Sequence, residues 1–163
     1  MNPLLSCFVN DCLARGTDIE RGGAKYNWIM PSFVGMANLV DSLYAVKTLV
    51  FDEKRMSMAD LKAVIDRNFE GHEALRMYIL RRMPKYGNDV DEVDLLFQRI
   101  VSHITEECRK YIPAFSNGRL IPSVFCWEMH AELGLQTGAT PDGRRKGEEI
   151  SKNGSSAPGM DRE

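Results

Sequence analysis

Two adjacent glycines, Gly22 and Gly23, open a stretch that reads Gly-Gly-Ala-Lys-Tyr-Asn, residues 22–27. Because neither glycine has a Cβ atom, this stretch lets one backbone segment approach another closely. A close approach of this kind constrains the path of the chain on both sides of it. We expect residues 17–31 to form a loop that leads into a short extended segment near residues 24–30.

The composition limits the classes of protein to which the chain can belong. Its 163 residues are 44% hydrophobic and 27% charged, which is typical of a soluble globular domain with a core of its own. A net charge of −2 gives no general attraction to nucleic acid or to an anionic membrane. The longest apolar run, residues 34–51, is interrupted by polar and charged side chains, so it does not resemble a membrane span.

The cysteines and the first residues indicate the compartment. Residues 1–6 lack the basic segment that precedes the apolar part of a secretory signal. No Cys-x-x-Cys pair occurs among Cys7, Cys12, Cys108 and Cys126. The sequence therefore predicts reduced thiols, a cytoplasmic protein and no metal site.

Local patterns predict a helix-rich α/β chain. Apolar residues recur at helical spacing in five segments, and capping or terminating residues bound most of them. In the second segment Ser32 is the expected N-cap, and in the third Ser57 and Asp60 have the pattern of a capping box. The five predicted helices are Pro3–Ala14, Phe33–Phe51, Met58–Asn68, His72–Met83 and Val90–Tyr111.

The C-terminal third is predicted to contain a strand and then a tail. Residues 121–133 alternate loosely and include β-forming side chains, so we expect a strand there. Residues 146–163 are rich in glycine, proline and charge and offer little to bury. The sequence thus predicts one ordered domain over residues 1–145 and a poorly ordered tail over residues 146–163.

Cys126, Glu128 and His130 form the most suggestive cluster of reactive side chains. On a strand they would share one face, where a cysteine beside a histidine suggests a nucleophile or a ligand group. Zinc would need a further nitrogen or sulfur ligand, and none is close in the sequence. The alternative is a strand with mixed packing and no chemistry.

A rigid turn precedes two arginines. In Thr140-Pro141-Asp142-Gly143 the proline and the glycine occupy positions that suit a β-turn. Arg144 follows directly, and an arginine held by such a turn can bind a carboxylate, sulfonate or phosphate with two parallel hydrogen bonds. The alternative is a structural turn whose arginine pairs with an internal carboxylate.

Three blocks together resemble the pyruvate formate-lyase superfamily, the glycyl radical enzymes. They are residues 22–27, the Pro-Lys-Tyr-Gly-Asn-Asp block 84–89 and the Ala-Thr-Pro-Asp-Gly-Arg-Arg block 139–145. Two shorter stretches also resemble the family, Asn-Leu-Val-Asp-Ser-Leu at 38–43 and Pro-Gly-Met-Asp at 158–161. Their order matches the branch that contains choline trimethylamine-lyase and cobalamin-independent glycerol dehydratase.

The resemblance implies a fold and a chemistry. Such enzymes enclose two finger loops in a ten-stranded β/α barrel, of which this chain would be a partial section. One loop carries a thiyl cysteine and the other a radical glycine, which a separate activating enzyme produces with S-adenosylmethionine and an iron–sulfur cluster. The implied partners are the rest of the parent barrel, that activating enzyme and a small polar substrate. The implied reaction is radical cleavage of a C–O, C–N, C–C or C–S bond.

The family's two radical positions have no counterpart in this sequence. The family's Cys-x-Glu motif precedes its Gly-Gly-Ala-x-Tyr-Asn segment, whereas Cys126 follows residues 22–27 by about a hundred positions. No Arg-Val-x-Gly-Tyr-like motif occurs either. We therefore expect an internal fragment that binds no cofactor, has no catalytic residue of its own and is inactive alone.

What the chain would contribute is part of a pocket wall. The candidates for residues that line the pocket, or support those that do, are Tyr26, Asn27, Trp127, His130 and Arg144. Two alternatives remain open. The chain could be a non-catalytic helical interaction module, or a piece of a formate acetyltransferase, which transfers an acyl group to coenzyme A.

Overall fold

The computed structural model describes residues 1–113 and 118–162. The chain divides into two compact units, each made of two separate stretches. The first unit comprises Met1–Ser32 with Val101–Ser123, and the second comprises Phe33–Ile100 with Val124–Glu163. Among the described residues, no helix is both long enough and apolar enough to cross a bilayer.

The first unit begins with two short helices. These are α1, Pro3–Ser6, and α2, Cys12–Arg15, and a 3₁₀ turn follows at Ile19–Arg21. The prediction of one continuous helix over residues 3–14 is wrong, because Asp11 has a left-handed φ of 76° that interrupts it. Helical spacing of the apolar residues could not reveal this break, since it depends on the backbone conformation of one residue.

A two-stranded parallel sheet completes the first unit. Strand β1, Trp28–Ile29, pairs in register with β2, Arg119–Leu120. An isolated bridge between Ser32 and Ser123 extends the pairing, and their hydroxyl oxygens lie 3.0 Å apart. The extended segment predicted near residues 24–30 is therefore confirmed, whereas Ser32 pairs with a strand and does not cap a helix.

The glycine pair permits the close backbone approach that the sequence predicts. A Cβ atom built on Gly23 would lie 1.9 Å from the carbonyl oxygen of Thr17 and 3.0 Å from that of Asp18. Gly22 has a left-handed φ of 85°. The loop after the 3₁₀ turn can thus close on itself only because neither position carries a side chain.

The second unit is a set of helices packed around one apolar core. The helices are α3, Met36–Val46, α4, Met58–Asp66, α5, Glu73–Arg82, α6, Asp91–Arg109, and α7, Met129–Gln136. Helix α3 continues into a π-helical turn at Lys47–Asp52. The core contains Ala45, Leu49, Leu61, Val64, Phe69, Ile79 and Met83, from α3, the π-helical turn, α4, the loop after it, α5 and its C-cap. Residues 91–100 of α6 belong to this unit and residues 101–109 to the first.

Helices α3 to α6 confirm four of the predicted helices within a few residues. At α4 the capping box is present, since the Ser57 hydroxyl accepts from the Asp60 amide at 3.1 Å and the Asp60 carboxylate accepts from the Ser57 amide. Helix α3 begins later than predicted, because its N-cap is Gly35 in a left-handed conformation.

The strand predicted over residues 121–133 is wrong. Only Arg119–Leu120 and the bridge at Ser123 are extended and paired, and α7 begins at Met129. A Cβ atom built on Gly134, inside α7, would lie 2.5 Å from the carbonyl oxygen of Glu148. This helix is therefore packed against a segment that follows it, and that contact outweighs the local β preference of the side chains before it.

The predicted tail has defined contacts as far as residue 162. Ile150, Ser151 and Ala157 are buried. Ser151 donates its amide to Asn38 and accepts the amides of Gly35 and Ala37. Composition predicts poor order because it measures apolar content, whereas most of these contacts are hydrogen bonds.

Candidate functional site

A buried polar cluster in the second unit joins two of the sequence blocks to the segment after residue 150. The side-chain amide of Asn38 donates to Oδ2 of Asp142 at 2.6 Å, and its Oδ1 accepts from the amide of Ser151 at 2.6 Å. All three residues are buried. Helix α3, the turn at residues 140–143 and the segment after residue 150 are thus connected through one side chain.

The same turn is connected to the block at residues 84–89. Lys85 is only 1% exposed, and its ammonium donates to the carbonyl oxygen of Asp142 at 2.9 Å. Burial lowers the pKa of Lys85, and the negative charges of Asp41 and Asp142 oppose this shift. The Asp142 carboxylate accepts from the Thr140 hydroxyl at 2.5 Å and from the Arg144 amide. The turn is therefore fixed in two ways. Lys85 binds its backbone, and the Asp142 side chain binds residues on either side of Asp142 in the sequence.

Asn88 connects the same block to the C-terminal segment. Its amide donates to the carbonyl oxygens of Lys85 at 3.2 Å and Met160 at 3.0 Å. Its Oδ1 accepts from the Arg162 amide at 2.6 Å. The Tyr86 hydroxyl donates to the carbonyl oxygen of Gly154 at 3.0 Å. Residues 154–162 are therefore held mainly by this loop.

The Arg144 side chain forms hydrogen bonds with residues that are close to it in the sequence. Its guanidinium donates to the carbonyl oxygens of Thr137, Gly138 and Glu148 and to the Thr140 hydroxyl. Burial lowers the pKa of Arg144, and the charges of Asp142 and Glu148 oppose the shift. The side chain thus braces the turn, as the structural alternative expects, although its hydrogen-bond partners are three carbonyl oxygens and a hydroxyl group, not a carboxylate.

Arg144 also borders a cleft of about 470 Å³ in the second unit. The residues that line it include the charged side chains Arg76, Glu148 and Glu149. Arg76 is occupied too, since it donates to the carbonyl oxygen of Gly143 at 2.9 Å and pairs with Glu73. The cleft therefore has charged walls, but both of its arginines have internal partners.

Of the three residues in the predicted reactive cluster, Cys126 and His130 lie close to each other and Glu128 does not join them. The Cys126 sulfur lies 3.8 Å from Nδ1 of His130, and Nε2 of His130 lies 3.8 Å from the carboxylate of Glu149. Cys126 is buried and donates its amide to Asn153, whereas Glu128 is exposed. The prediction that Cys126, Glu128 and His130 share one face of a strand is wrong, because the segment is not a strand. Within the described part of the chain, no three metal-binding side chains gather in one place.

The remaining candidates differ in exposure. Tyr26 is 72% exposed and Trp127 is 78% exposed. Asn27 donates its side-chain amide to the carbonyl oxygens of Gly22 and Ala24, which closes the glycine loop. Tyr26 and Asn27 belong to the first unit, while Trp127, His130 and Arg144 belong to the second.

Sequence reasoning missed the residues at the centre of the polar cluster. Asn38, Asp41, Lys85 and Asp142 all lie in the blocks that carry the family resemblance, but no role was predicted for them. One signal was present. Asn38 and Asp41 are three positions apart and share a face of a helix that is otherwise largely apolar, and a polar pair there indicates a buried network.

Comparisons with known proteins agree along almost the whole chain. The family model described as pyruvate formate lyase-like matches residues 1–134. The probable dehydratase YbiW of Escherichia coli (strain K12) is 38% identical over 97% of this chain and 20% of its own length.

Two solved structures are also similar. Hydroxyproline dehydratase from Clostridioides difficile, with trans-4-hydroxy-L-proline bound, superposes with a TM-score of 0.90 at 36% identity, over 98% of this chain and 20% of that one. A glycyl radical enzyme from Archaeoglobus fulgidus superposes with a TM-score of 0.89 at 35% identity, over 99% of this chain and 20% of that one.

The chain spans about a fifth of the length of these relatives. The family model covers most of its residues, and the blocks at residues 22–27 and 84–89 lie inside the matched range. On this combined agreement of sequence and structure, the chain belongs to the pyruvate formate lyase-like family, the glycyl radical enzymes.

Proposed function

We propose that this chain forms one section of a glycyl radical lyase or dehydratase that cleaves a C–O, C–N, C–C or C–S bond of a small polar substrate. The observation that carries the proposal is the match to hydroxyproline dehydratase, which extends over 98% of the chain with a TM-score of 0.90. A backbone this similar at 36% identity supports the same structural role in a larger enzyme.

In this proposal the reacting groups lie elsewhere in the parent barrel. A radical glycine, installed by an activating enzyme that uses S-adenosylmethionine, supplies hydrogen-atom chemistry through a cysteine. Cys126 does not suit that role, because it is buried beside His130 and follows the glycine loop instead of preceding it. The chain alone would bind no cofactor, bind no substrate productively and be inactive.

The chain's own residues would build and brace a wall of the reaction chamber in a cytoplasmic enzyme. Tyr26 and Trp127 are exposed, which suits contact with other parts of the barrel or with substrate. Asn27, His130 and Arg144 have internal partners, which suits residues that hold the wall in place. Radical chemistry needs a chamber without bulk water, so a rigid wall is itself a contribution to the reaction.

The second unit also supports a different role, that of a helical interaction module without catalysis. Its core residues Leu49, Leu61, Phe69 and Ile79 are at most 1% exposed, so this unit encloses a core of its own. A module of this kind would unfold cooperatively and would need no other polypeptide. A piece of a formate acetyltransferase is the corresponding alternative within the family.

A chimera separates these roles. The corresponding fifth of the Clostridioides difficile hydroxyproline dehydratase is replaced by this chain, and the product is activated under anaerobic conditions. We expect the chimera to show a glycyl radical doublet in electron paramagnetic resonance and to dehydrate trans-4-hydroxy-L-proline, while this chain alone shows neither.

The matched control is the same chimera with Gly23→Ala, which should lose the radical signal because the glycine loop cannot close. A doublet from the isolated chain would overturn the assignment of the radical to another segment. A soluble chimera with neither radical nor turnover would overturn the proposed role and favour the interaction module.

A further inference from the structure

A buried carboxylate on α3 has only half of its hydrogen-bonding capacity filled. Asp41 is 1% exposed, and its Oδ1 accepts from the Tyr86 amide at 2.8 Å. Its Oδ2 is also buried and has no hydrogen-bond partner among the described residues. An ionised carboxylate oxygen in this position is unfavourable, because burial removes water without supplying a donor.

Asp142 provides the contrast within the same cluster. One of its carboxylate oxygens accepts from Asn38, and the other accepts from Thr140 and from the Arg144 amide. Both oxygens of Asp142 therefore have donors, whereas only one oxygen of Asp41 has a donor among the residues that the structure describes. Two buried carboxyl groups in one cluster thus differ in the number of donors that face them.

The charged groups around Asp41 come from three other elements. Lys85 faces it from the loop after α5, Asp142 from the turn and Asp94 from α6. The Lys85 ammonium, which favours an ionised Asp41, already donates to the carbonyl oxygen of Asp142, and it also faces the positive charge of Arg162. Asp142 and Asp94 disfavour the ionised form.

We propose that Asp41 is a proton-dependent latch of the second unit: the folded unit accommodates its neutral carboxyl group, whereas ionisation leaves a buried charge at Oδ2 without a donor in the described part of the chain and so favours opening of the packing around it. The other oxygen, Oδ1, contacts the loop of residues 85–88 through the Tyr86 amide. The loop in turn holds Gly154, Met160 and Arg162, so a change at Asp41 reaches the whole segment of residues 154–162. The latch is independent of the proposed enzymatic role, because it depends only on groups within the second unit.

The direction of the pH dependence follows from the same burial. Desolvation raises the pKa of Asp41 from its ordinary value of 3.8 to about 6, although Lys85 and the Tyr86 amide oppose the shift. A carboxyl group whose pKa is raised by folding stabilises the folded state fully below its ordinary pKa. That contribution is lost as the pH rises through about 6. From these two pKa values, Asp41 alone should make the unfolding equilibrium constant about tenfold larger at about pH 8 than at about pH 5.

The test uses the 163-residue chain and two matched variants. Urea unfolding is followed by circular dichroism between about pH 5 and pH 8 for the wild type, Asp41→Asn and Asp66→Asn. Asp66 is exposed and pairs with Lys62 on the surface of α4, so its variant should keep the full pH dependence of the wild type. Asp41→Asn carries a permanently neutral side chain of the same shape and should lose the tenfold component.

Carboxyl ¹³C NMR of the unmutated chain gives a second readout that needs no variant. The Asp41 resonance should titrate near pH 6, above the ordinary value of 3.8. In Lys85→Met, the Asp41 titration should move to higher pH because an attracting cation is removed. An Asp41 resonance that titrates near 3.8, or an Asp41→Asn variant that keeps the tenfold change, would overturn the latch.

Discussion

The side-chain amide of Asn38 donates a 2.6 Å hydrogen bond to the carboxylate of Asp142, a residue 104 positions later in the chain. Its carbonyl oxygen accepts from Ser151, which lies 113 positions later. One buried side chain on α3 therefore fixes two segments that are remote in sequence. Several measurements should be sensitive to it and to the contacts around it.

Asn38→Ala should destabilise the second unit by about 2–5 kcal/mol, because it leaves Oδ2 of Asp142 and the Ser151 amide each without a buried partner. Urea unfolding measures the change. Gln98→Ala removes the same kind of group from an exposed position on α6 and should cost less than about 0.5 kcal/mol. Equal stabilities of the two variants would contradict the role given to Asn38.

The adjacent arginines provide a second matched pair. Arg144→Lys keeps the positive charge but loses most of the four contacts of the guanidinium, so we expect a loss of about 2–4 kcal/mol. Arg145 is exposed and pairs with Glu73, so Arg145→Lys should cost less than about 1 kcal/mol. Thermal unfolding of both variants tests the difference. If Arg144 serves mainly to bind an external anion, its substitution should leave stability unchanged.

Gly23→Ala should be among the most damaging small substitutions in the chain. Its methyl group would lie 1.9 Å from the carbonyl oxygen of Thr17, and a backbone atom cannot move aside as a side chain can. We expect a loss of about 3 kcal/mol or more in the first unit. Gly154→Ala is the control, since nothing lies within 4 Å of a Cβ atom built there. Similar proton NMR spectra for Gly23→Ala and wild type would contradict the prediction.

Ile150→Ala tests whether the C-terminal segment is ordered in solution. Ile150 is buried, and its side chain packs beside Gly35 at the start of α3. If the segment is docked, removing the side chain should cost about 2–4 kcal/mol. If residues 146–163 are disordered, as composition predicts, the variant should be as stable as the exposed control Lys152→Ala.

The helices of the second unit could be predicted because their signals are local. The apolar stripe of α6, the capping box at Ser57 and the proline after α5 all act within a few residues of the structure that they determine. The close approach at Gly23 could also be predicted, since a glycine pair has few other uses. Such features depend little on the rest of the chain.

The features that could not be predicted depend on distant partners. Helix α7 is packed against Glu148, and the segment after residue 150 is held by Asn38 and Asn88. Asp11 interrupts the first predicted helix through one backbone conformation that apolar spacing does not report. The family resemblance indicates the candidate wall residues, and no local pattern indicates the contact between Lys85 and Asp142.

The hydrogen bonds of Asn88 also bear on how the chain is made. Its partners Met160 and Arg162 are synthesised 72 and 74 residues after it. While they remain inside the ribosomal exit tunnel, the Asn88 loop has emerged without the contacts that hold it. The second unit therefore completes its packing only late in translation, and a nascent chain stalled before that point should be open to proteases and chaperones.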